Sequence, residues 1–538
     1  MLKITPLRAI STDGTGGGAL PAYLKATEYY RGADGVERST SAWGGVAARS
    51  LGLRGTVKEE VMDKLAMGFG PKGEKLRQNA GAEAVWKPTL DREGKPRLDS
   101  QGNPMGTWDG GRIGWDFTFN APKPVSVFYS DPSLVAGEGC DKAAIRDEIL
   151  AIHHKAVENV MKFAEANVAE TRRGKRSKDF IAVKGLLYSR HTHFDARGHD
   201  RGKDTNAETV DPHLHSHLLV YNLCEGIDGR MSSLEPDQLY KWHKTLGTLY
   251  RAELAKGLRE MGVEISEDIR LDRDGAEKNR FFKIEGLPQE LVDEKSGRRK
   301  QIVDYMNEHA GASAQEANLR TRAKKVTNKD SYPLLLDAWE KGYDRYKQET
   351  PDFAAPGLRS QSKPAPLNKA DGLARDHALL MRLHESKSVL TRADIVGAVA
   401  GLAQSEGVLD LKGVMKESDR LLGRNHLHVI RPEKIHADDR GQKLSRRHTE
   451  DRYAHPVIVE AEQTMVAQAF ARKDDVELRL PAAMVSKAIK RMEITRGFEL
   501  SDEQKKGVRF VTQETGAVAV LEGKAGTGKT TVSEAIVS

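Results

Sequence analysis

Asp211–Asn222, DPHLHSHLLVYN, places His213, His215 and His217 at every second position, alternating with Leu214, Ser216, Leu218 and Val220. A two-residue period marks a β-strand, with one face apolar against a core and the other carrying three imidazoles in a row. Same-face neighbours on a strand lie ~7 Å apart and a metal–imidazole bond is ~2 Å, so two adjacent histidines can converge on one ion. His213 and His217 are about twice that distance apart, so all three should not bind one ion from this strand alone. A third ligand must then come from elsewhere. Leu186–Arg197, LLYSRHTHFDAR, is a second strand-like run that sets His191 and His193 on a common face. Alternating histidines can also line a solvated strand face. Five in two neighbouring strands point instead to a divalent transition metal, without identifying which one.

The surrounding composition bounds what such a site can serve. A chain of 538 residues is too long for one ordinary domain and suggests about three. A charged fraction of 30% and mean hydropathy of −0.57 describe a soluble protein without a membrane span or signal peptide. Two cysteines, Cys140 and Cys224, exclude a disulfide framework or a thiolate zinc finger and fit a reducing cytosol. A net charge of +7 permits a nucleic-acid partner, and the clusters RRGKRSK (Arg172–Lys178), Arg298–Lys300 and RTRAKK (Arg320–Lys325) fit phosphate contacts.

Working outward along the chain, Met1–Ile10 reads as a first strand and Ala22–Tyr30, AYLKATEYY, as a helix with Tyr23 and Tyr30 on one face. Helical tyrosines are more often core anchors than nucleophiles, and a phenol of pKa about 10 needs a base or metal to attack at neutral pH. Ser50–Ala82 reads as a surface helical segment, and Asp91–Gly111 as an exposed hairpin or loop. In Gly114–Tyr129, GWDFTFNAPKPVSVFY, Trp115, Phe117 and Phe119 alternate with Asp116, Thr118 and Asn120, which turns Asp116 toward the polar side of a strand. Ala143–Glu170 reads as a long helix with the stripe Ile145, Ile149, Ile152, Ala156, Val160 and Phe163, and Leu239–Met261 as another. Gln289–Gln348 reads as helical and basic, Glu349–Gly372 as an interdomain linker, and Asp376–Leu422 as helical with Thr391 an N-cap. In that last stretch His384 and Glu385 read as surface residues, and Asp451–Glu493 reads as similarly helical. Strands and helices in this order predict an α+β sheet layered with helices.

Near the end, Gly523–Thr530 reads GKAGTGKT, the phosphate-binding pattern G-x-x-x-x-G-K-[ST], after an apolar run Val518–Leu521 expected as a strand. Its backbone amides would cradle phosphates, Lys529 would reach the β- and γ-phosphates, and Thr530 would hold Mg²⁺. The acidic strand and arginine fingers of a motor do not follow, so helicase ATPase activity is not expected from these 538 residues.

The chain resembles the conjugative relaxases of the TrwC/TraI (MobF) type, which nick a plasmid transfer origin and pilot the strand into a recipient cell. The resemblance rests on YLKATEYY, GWDFTFNAPKPVS, HTHFDAR, DPHLHSHLLVYN and LGTLYRAELAKGLREMG, in family order. It implies an HUH-type α+β domain over residues 1–348, with an antiparallel sheet core flanked by helices. A linker (349–372), a helical pre-helicase region (373–495) and the start of a P-loop, RecD-like α/β helicase domain (496–538) would follow. The resemblance implies His193, His215 and His217 as ligands of Mg, Mn or Zn. His213 with His215 is an alternative pair, and His191 an alternative third ligand. Asp116 would orient a ligand histidine or take the nucleophile's proton, and Arg197 would lie near the scissile phosphate. Tyr23 would make the first cut, and Tyr29 or Tyr30 a second.

The same resemblance implies that Gly523, Gly526, Gly528, Lys529, Thr530 and Thr531 hold ATP–Mg in the full-length protein, with Gln504 reading adenine. The implied partners are hairpin and single-stranded DNA at a transfer origin, accessory relaxosome proteins and a type IV secretion coupling protein. The protein would be a monomer of the bacterial cytoplasm, translocated with DNA to the recipient. A rolling-circle replication initiator shares this chemistry, and a non-catalytic DNA-binding scaffold with a structural metal is the rival of a different class.

Overall fold

The computed structural model describes residues 2–8, 29–31, 37–82, 84–91, 93–98, 102, 104–173, 179–196, 210–271, 277–309, 311–321, 332–359, 369–423, 426–430, 451–523 and 526–537. Contacts divide the chain into two units, 1–379 with 391–422 and 433–449, and 380–390 with 423–432 and 450–538.

The first unit is α+β. Its strands include β1 (Leu2–Arg8), β2 (Tyr29–Arg31), β3 (Glu37–Ser39), β4 (Ser41–Gly44), β5 (Ala84–Pro88), β6 (Gly106–Gly110), β7 (Arg112–Asn120), β8 (Glu170–Arg173), β9 (Asp179–Asp195), β10 (Pro212–Gly226), β11 (Met231–Ser232) and β12 (Leu234–Glu235), and Ile265–Leu271 pairs antiparallel with Glu277–Ile284 in a separate ribbon. The main sheet runs β1–β7–β10–β9–β8–β12, with β4 also on β9 and β11 on β10. The pairings of β7, β9 and β10 are antiparallel. β5 and β6 form a separate ribbon extended by the bridges Leu90–Pro96 and Leu98–Pro104, so the expected hairpin near Asp91–Gly111 is present and exposed.

Alternation sorts the central strands as expected. Trp115, Phe117 and Phe119 of β7 are buried on one face, where Phe119 meets the ring of Tyr250 edge-on at 5.3 Å. Burying each such aromatic fully contributes about 1.5–3 kcal/mol. Two long helices supply this layer, Lys142–Asn167 and Asp237–Glu260. The first starts where the Asp141 side chain accepts from Ala144 N at 3.0 Å, and it buries Ile149, Ala156, Val160 and Phe163. Ile145 and Ile152 of the expected stripe are only half-buried.

The opposite face is covered as well. Beyond His217 the same side of β10 carries Leu219, Tyr221 and Leu223, which pack with Ala47, Ala48, Met62 and Leu65. Two short helices, Val46–Ser50 and Glu59–Ala66, bring these residues, so the segment read as superficial helps close the core. Gly45 makes the turn out of β4 at φ +92, where a Cβ would collide with Leu186 O.

Three expectations need correction here. Tyr29 and Tyr30 lie in β2, paired antiparallel with Ser39 and Arg38 of β3, and not in a helix. The first part of the expected linker is docked, because Gly357 N donates to Val135 O and Arg359 N to Gly262 O, both at 2.8 Å. Residues 360–368 fall outside the described residues. Helix Arg392–Glu406, placed by sequence in a separate pre-helicase region, packs in this unit on helix Asp237–Glu260. Thr391 caps it in a full capping box, as expected. Thr245 Oγ1 donates to Ala393 O at 2.9 Å, and the buried Arg251 donates through Nε to Gln404 Oε1 at 2.7 Å. Burial lowers the Arg251 guanidinium to about 10, and it also sits 5.0 Å over the Phe281 ring.

The second unit is mostly helical: Pro456–Ala471, Ala482–Arg496, Asp502–Arg509 and Lys529–Val537. Val485, Ile489, Met492, Leu500, Val508, Val532 and Ala535 form its core. Val518–Leu521, expected as the strand before the phosphate loop, is not one, and Val520 is 83% exposed. A strand requires a ladder partner, and among the described residues none pairs with this run. His384, read as a surface residue, is half-buried and accepts from His455 N at 3.0 Å.

Candidate metal centre

Register decides which histidines meet. His215 stands opposite His193 and His217 opposite His191 across β10 and β9, and His217 lies opposite Thr118 of β7. The rings of His193, His215 and His217 form a triangle with centroid distances of 5.4, 5.4 and 5.0 Å. With Nε2 ~2.1 Å from a metal and the ring centre ~1.1 Å beyond it, tetrahedral angles place neighbouring centroids about 5.2 Å apart. Among the described residues no three His, Cys, Asp or Glu side chains are already closed into a cage. The centroid spacing of the three rings is nevertheless close to that value.

Two members of the triangle are oriented through Nδ1. His217 Nδ1 faces both carboxylate oxygens of Asp116 at 2.9 Å, and Thr118 Oγ1 donates to Asp116 Oδ1 at 3.4 Å. His215 Nδ1 donates to His213 O at 2.8 Å. An Nδ1–H given to a carboxylate or carbonyl leaves the Nε2 lone pair to a metal, the usual outer-shell arrangement of ligating histidines. Burial, with His213, His217 and His193 nearby, holds His215 well below the ordinary histidine range, so it is neutral as a ligand must be. The donor set therefore fits a divalent ion.

The alternative ligands are engaged differently. His213 is stacked on His215 at 4.7 Å, but its Nε2 hydrogen-bonds Asn120 Oδ1 at 3.0 Å. His191 Nε2 hydrogen-bonds Ser189 Oγ at 3.1 Å. Burial above all lowers both imidazoles to about 3.

The lead-in to β10 is held from several elements. Trp339 Nε1 donates to Val210 O at 2.7 Å, Gly297 N to Asp211 Oδ2 at 2.8 Å, and Lys123 Nζ to Pro212 O at 2.8 Å. Burial lowers the Lys123 ammonium to about 8. Tyr23 and Arg197 lie outside the described residues. For Tyr29 and Tyr30 the backbone is informative: β3 runs through Thr40 into β4, where Ser41 stands opposite His191, and Thr192 N donates to Thr40 O. The ribbon carrying both tyrosines is thus joined directly to the histidine strands.

Sequence reading missed the back of this sheet. Ser216 and Thr192 stand opposite each other on the face read as apolar, and their hydroxyls hydrogen-bond at 2.8 Å. His153 Nε2 meets Ser216 Oγ at 2.7 Å, and His154 Nε2 meets Thr192 Oγ1 at 2.9 Å. The available signal was a hydroxyl residue at an inward position between two histidines in each strand.

In the second unit, Gly526 and Gly528 take positive φ and helix Lys529–Val537 follows, so Thr530 and Thr531 sit in its first turn. Lys529 Nζ donates to Gly523 O at 2.6 Å. Gln504, at the N3 position of a capping box with Ser501, turns its Nε2 to where a Cβ at Gly528 would be. Gln504 and the glycine loop therefore come together, though Lys524 and Ala525 lie outside the described residues.

A family model described as TrwC relaxase matches residues 17–345, and the chain belongs to that family. Two multifunctional conjugation proteins TraI from Escherichia coli, one of them from strain K12, are each 24% identical, over 426 residues (76% of this chain) and 388 residues (68%). The chain spans about a fifth of the length of these relatives, 20% and 18% respectively. Among solved structures, a copper-bound complex of the conjugative relaxase TrwC with oriT DNA matches at 24% identity and TM-score 0.45, covering 66% of this chain and all of that one. TrwC with a 27-mer DNA comprising the recognition hairpin and cleavage site matches at 24% identity and TM-score 0.43, covering 64% and 98%. Among the described residues, no helix is long and apolar enough to cross a membrane.

Proposed function

We propose that this chain nicks one strand of plasmid transfer-origin DNA by tyrosine transesterification, and that His193, His215 and His217 hold the divalent ion the reaction needs. The observation that carries the reading is the ring triangle with Asp116 seated on His217 Nδ1. When bound, the ion supplies charge neutralisation at the non-bridging oxygens of the scissile phosphate. Asp116 is given to His217 and acts as its orienting group. Tyr23 is the first nucleophile: its Oη forms the bond to phosphorus, the P–O3′ bond breaks, and the phenolic proton leaves to a base as the 3′ oxygen gains one. The products are a 5′-phosphotyrosyl adduct and a free 3′-OH, and one diester replaces another without consuming water. Tyr29 or Tyr30, on the ribbon joined to the site, accepts the strand in a second transfer, and Arg197 lies near the scissile phosphate.

Hairpin and single-stranded DNA would be held mainly through phosphate contacts from the basic clusters. Relaxosome accessory proteins and a secretion coupling protein are the partners that delivery from one cytoplasm to another requires. The loop Gly523–Thr531 with Gln504 is proposed to take ATP–Mg, supported by their proximity in the second unit.

Strand transfer tests the proposal. A 3′-labelled oligonucleotide carrying a candidate hairpin and cleavage site is cut with Mn²⁺ present, and a longer unlabelled strand ending in a 3′-OH at the site is added. Label moving to a longer product supports transesterification. Cleavage to a free 5′-phosphate without transfer, or no cleavage at any origin tried, overturns it.

A further inference from the structure

The rung of the sheet between the proposed ligands is built from polar groups buried on the reverse face. Ser216 lies between His215 and His217, and Thr192 between His191 and His193. They are cross-strand partners, 0% and 1% exposed. Around their 2.8 Å contact runs a chain of hydrogen bonds. Tyr250 OH meets His153 Nδ1 at 2.8 Å, His153 Nε2 meets Ser216 Oγ at 2.7 Å, Ser216 meets Thr192, and Thr192 Oγ1 meets His154 Nε2 at 2.9 Å. The protons can be placed in either direction. Tyr250 O–H donates to His153, His153 Nε2–H to Ser216, Ser216 to Thr192 and Thr192 to His154, or every bond reverses. Either direction uses each of these four bonds once with both imidazoles neutral.

Such a network is not needed to fill the space, since apolar residues of similar shape pack the same volume at nearly neutral cost. Its position is informative. The β9–β10 ladder is regular only from His215 to Val220, with register shifts between Pro212 and His215 and again between Val220 and Cys224. Register shifts bound this short run of the β9–β10 ladder at both ends, and a one-residue slip would send one strand's histidines to the other face.

We propose that the Ser216–Thr192 pair, anchored by His153 and His154 of the long helix, is a positioning device that fixes the separation and register of the two metal-ligating strands. This inference rests on the metal centre proposed above. Its members touch no reacting atom and act through His193, His215 and His217.

The test uses the whole chain and Cu²⁺ or Mn²⁺ as probe. Thr192→Val with Ser216→Ala removes both hydroxyls while conserving shape, and Thr192→Ser with Ser216→Thr keeps them. The measurements are metal affinity by calorimetry and the Cu²⁺ electron paramagnetic resonance spectrum, on protein whose circular dichroism and Tm match the wild type. The expected result is about tenfold weaker binding and a heterogeneous Cu²⁺ spectrum in the first variant, the cost typical of lost outer-shell support. The hydroxyl-swapped variant should regain both. Wild-type affinity and spectrum in the folded first variant would overturn the inference. Should that variant fail to fold, Ser216→Ala alone is read by the same criteria. Failure of the metal centre itself is distinguishable, because the wild type would then bind no better than His215→Ala.

Discussion

Asp116 separates two kinds of chemistry, and its replacement reads which one operates. Asp116 is 4% exposed, and its carboxylate faces His217 Nδ1 through both oxygens at 2.9 Å. Asp116→Asn keeps the shape and one acceptor but loses the charge, whereas Asp116→Ala leaves a ring N–H without its acceptor. Losing the partner that orients a ligating histidine typically costs 10–100-fold in metal affinity, or about 1.4–2.7 kcal/mol. We expect the asparagine variant near the low end of that range and the alanine variant near the high end. Calorimetric titration of Mn²⁺ into variants first checked by circular dichroism measures it, and single-turnover nicking at saturating Mn²⁺ completes the test. If Asp116 orients His217, saturating metal restores most of the rate. Unchanged affinity in both variants with a rate that stays lost would refute this reasoning and make Asp116 the base that takes the tyrosine's proton.

Other expectations follow from single contacts. Thr391→Ala breaks the capping box of helix Arg392–Glu406 and should cost about 0.5–2 kcal/mol by urea unfolding without altering metal affinity. Gly45→Ala, at φ +92 against Leu186 O, should destabilise the first unit by more than ~1 kcal/mol and lower its Tm; an unchanged Tm would show that the turn relaxes freely. Burial holds His153 neutral, down at about 3, so the unfolded chain takes up its proton more readily. Stability from this group is therefore complete above about pH 6.5 and falls on acidification toward pH 3, by up to about 1.4 kcal/mol per pH unit. Denaturant unfolding between pH 7.5 and 5 should show a shallower slope for His153→Gln, and an identical slope would contradict neutral burial.

Much of the site was legible because strand alternation is a strong local signal. The same period that put His215 and His217 on one face of β10 put His191 and His193 on one face of β9 and turned Asp116 toward the polar side. What alternation cannot supply is register: that His215 stands opposite His193 and His217 opposite His191 shows only once β9 and β10 are aligned. It also sorts residues by face without seeing their partners. Ser216 was grouped with leucines although its partner, His153, lies 63 positions away on a helix. Ala22–Tyr30 reads as a helix that includes Tyr29 and Tyr30, yet the Asp34–Gly35 pair between them and Glu37–Ser39 is a hairpin signal. Val518–Leu521 has strand composition, but composition does not provide a neighbouring strand. The docking of Arg392–Glu406 on Asp237–Glu260 rests on Thr245, Arg251 and Gln404, long-range partners that no local pattern joins.

The most direct test of the central claim is covalent capture. Wild-type protein, Tyr23→Phe and His215→Ala are incubated with single-stranded transfer-origin oligonucleotides and Mn²⁺, with and without EDTA, and resolved on a denaturing gel. The expected result is a protein–DNA band through the 5′ phosphate in the wild type, abolished by EDTA and nearly absent in both variants. A full-strength band from Tyr23→Phe would contradict the assignment of the nucleophile. A band from His215→Ala insensitive to EDTA would contradict the metal centre itself.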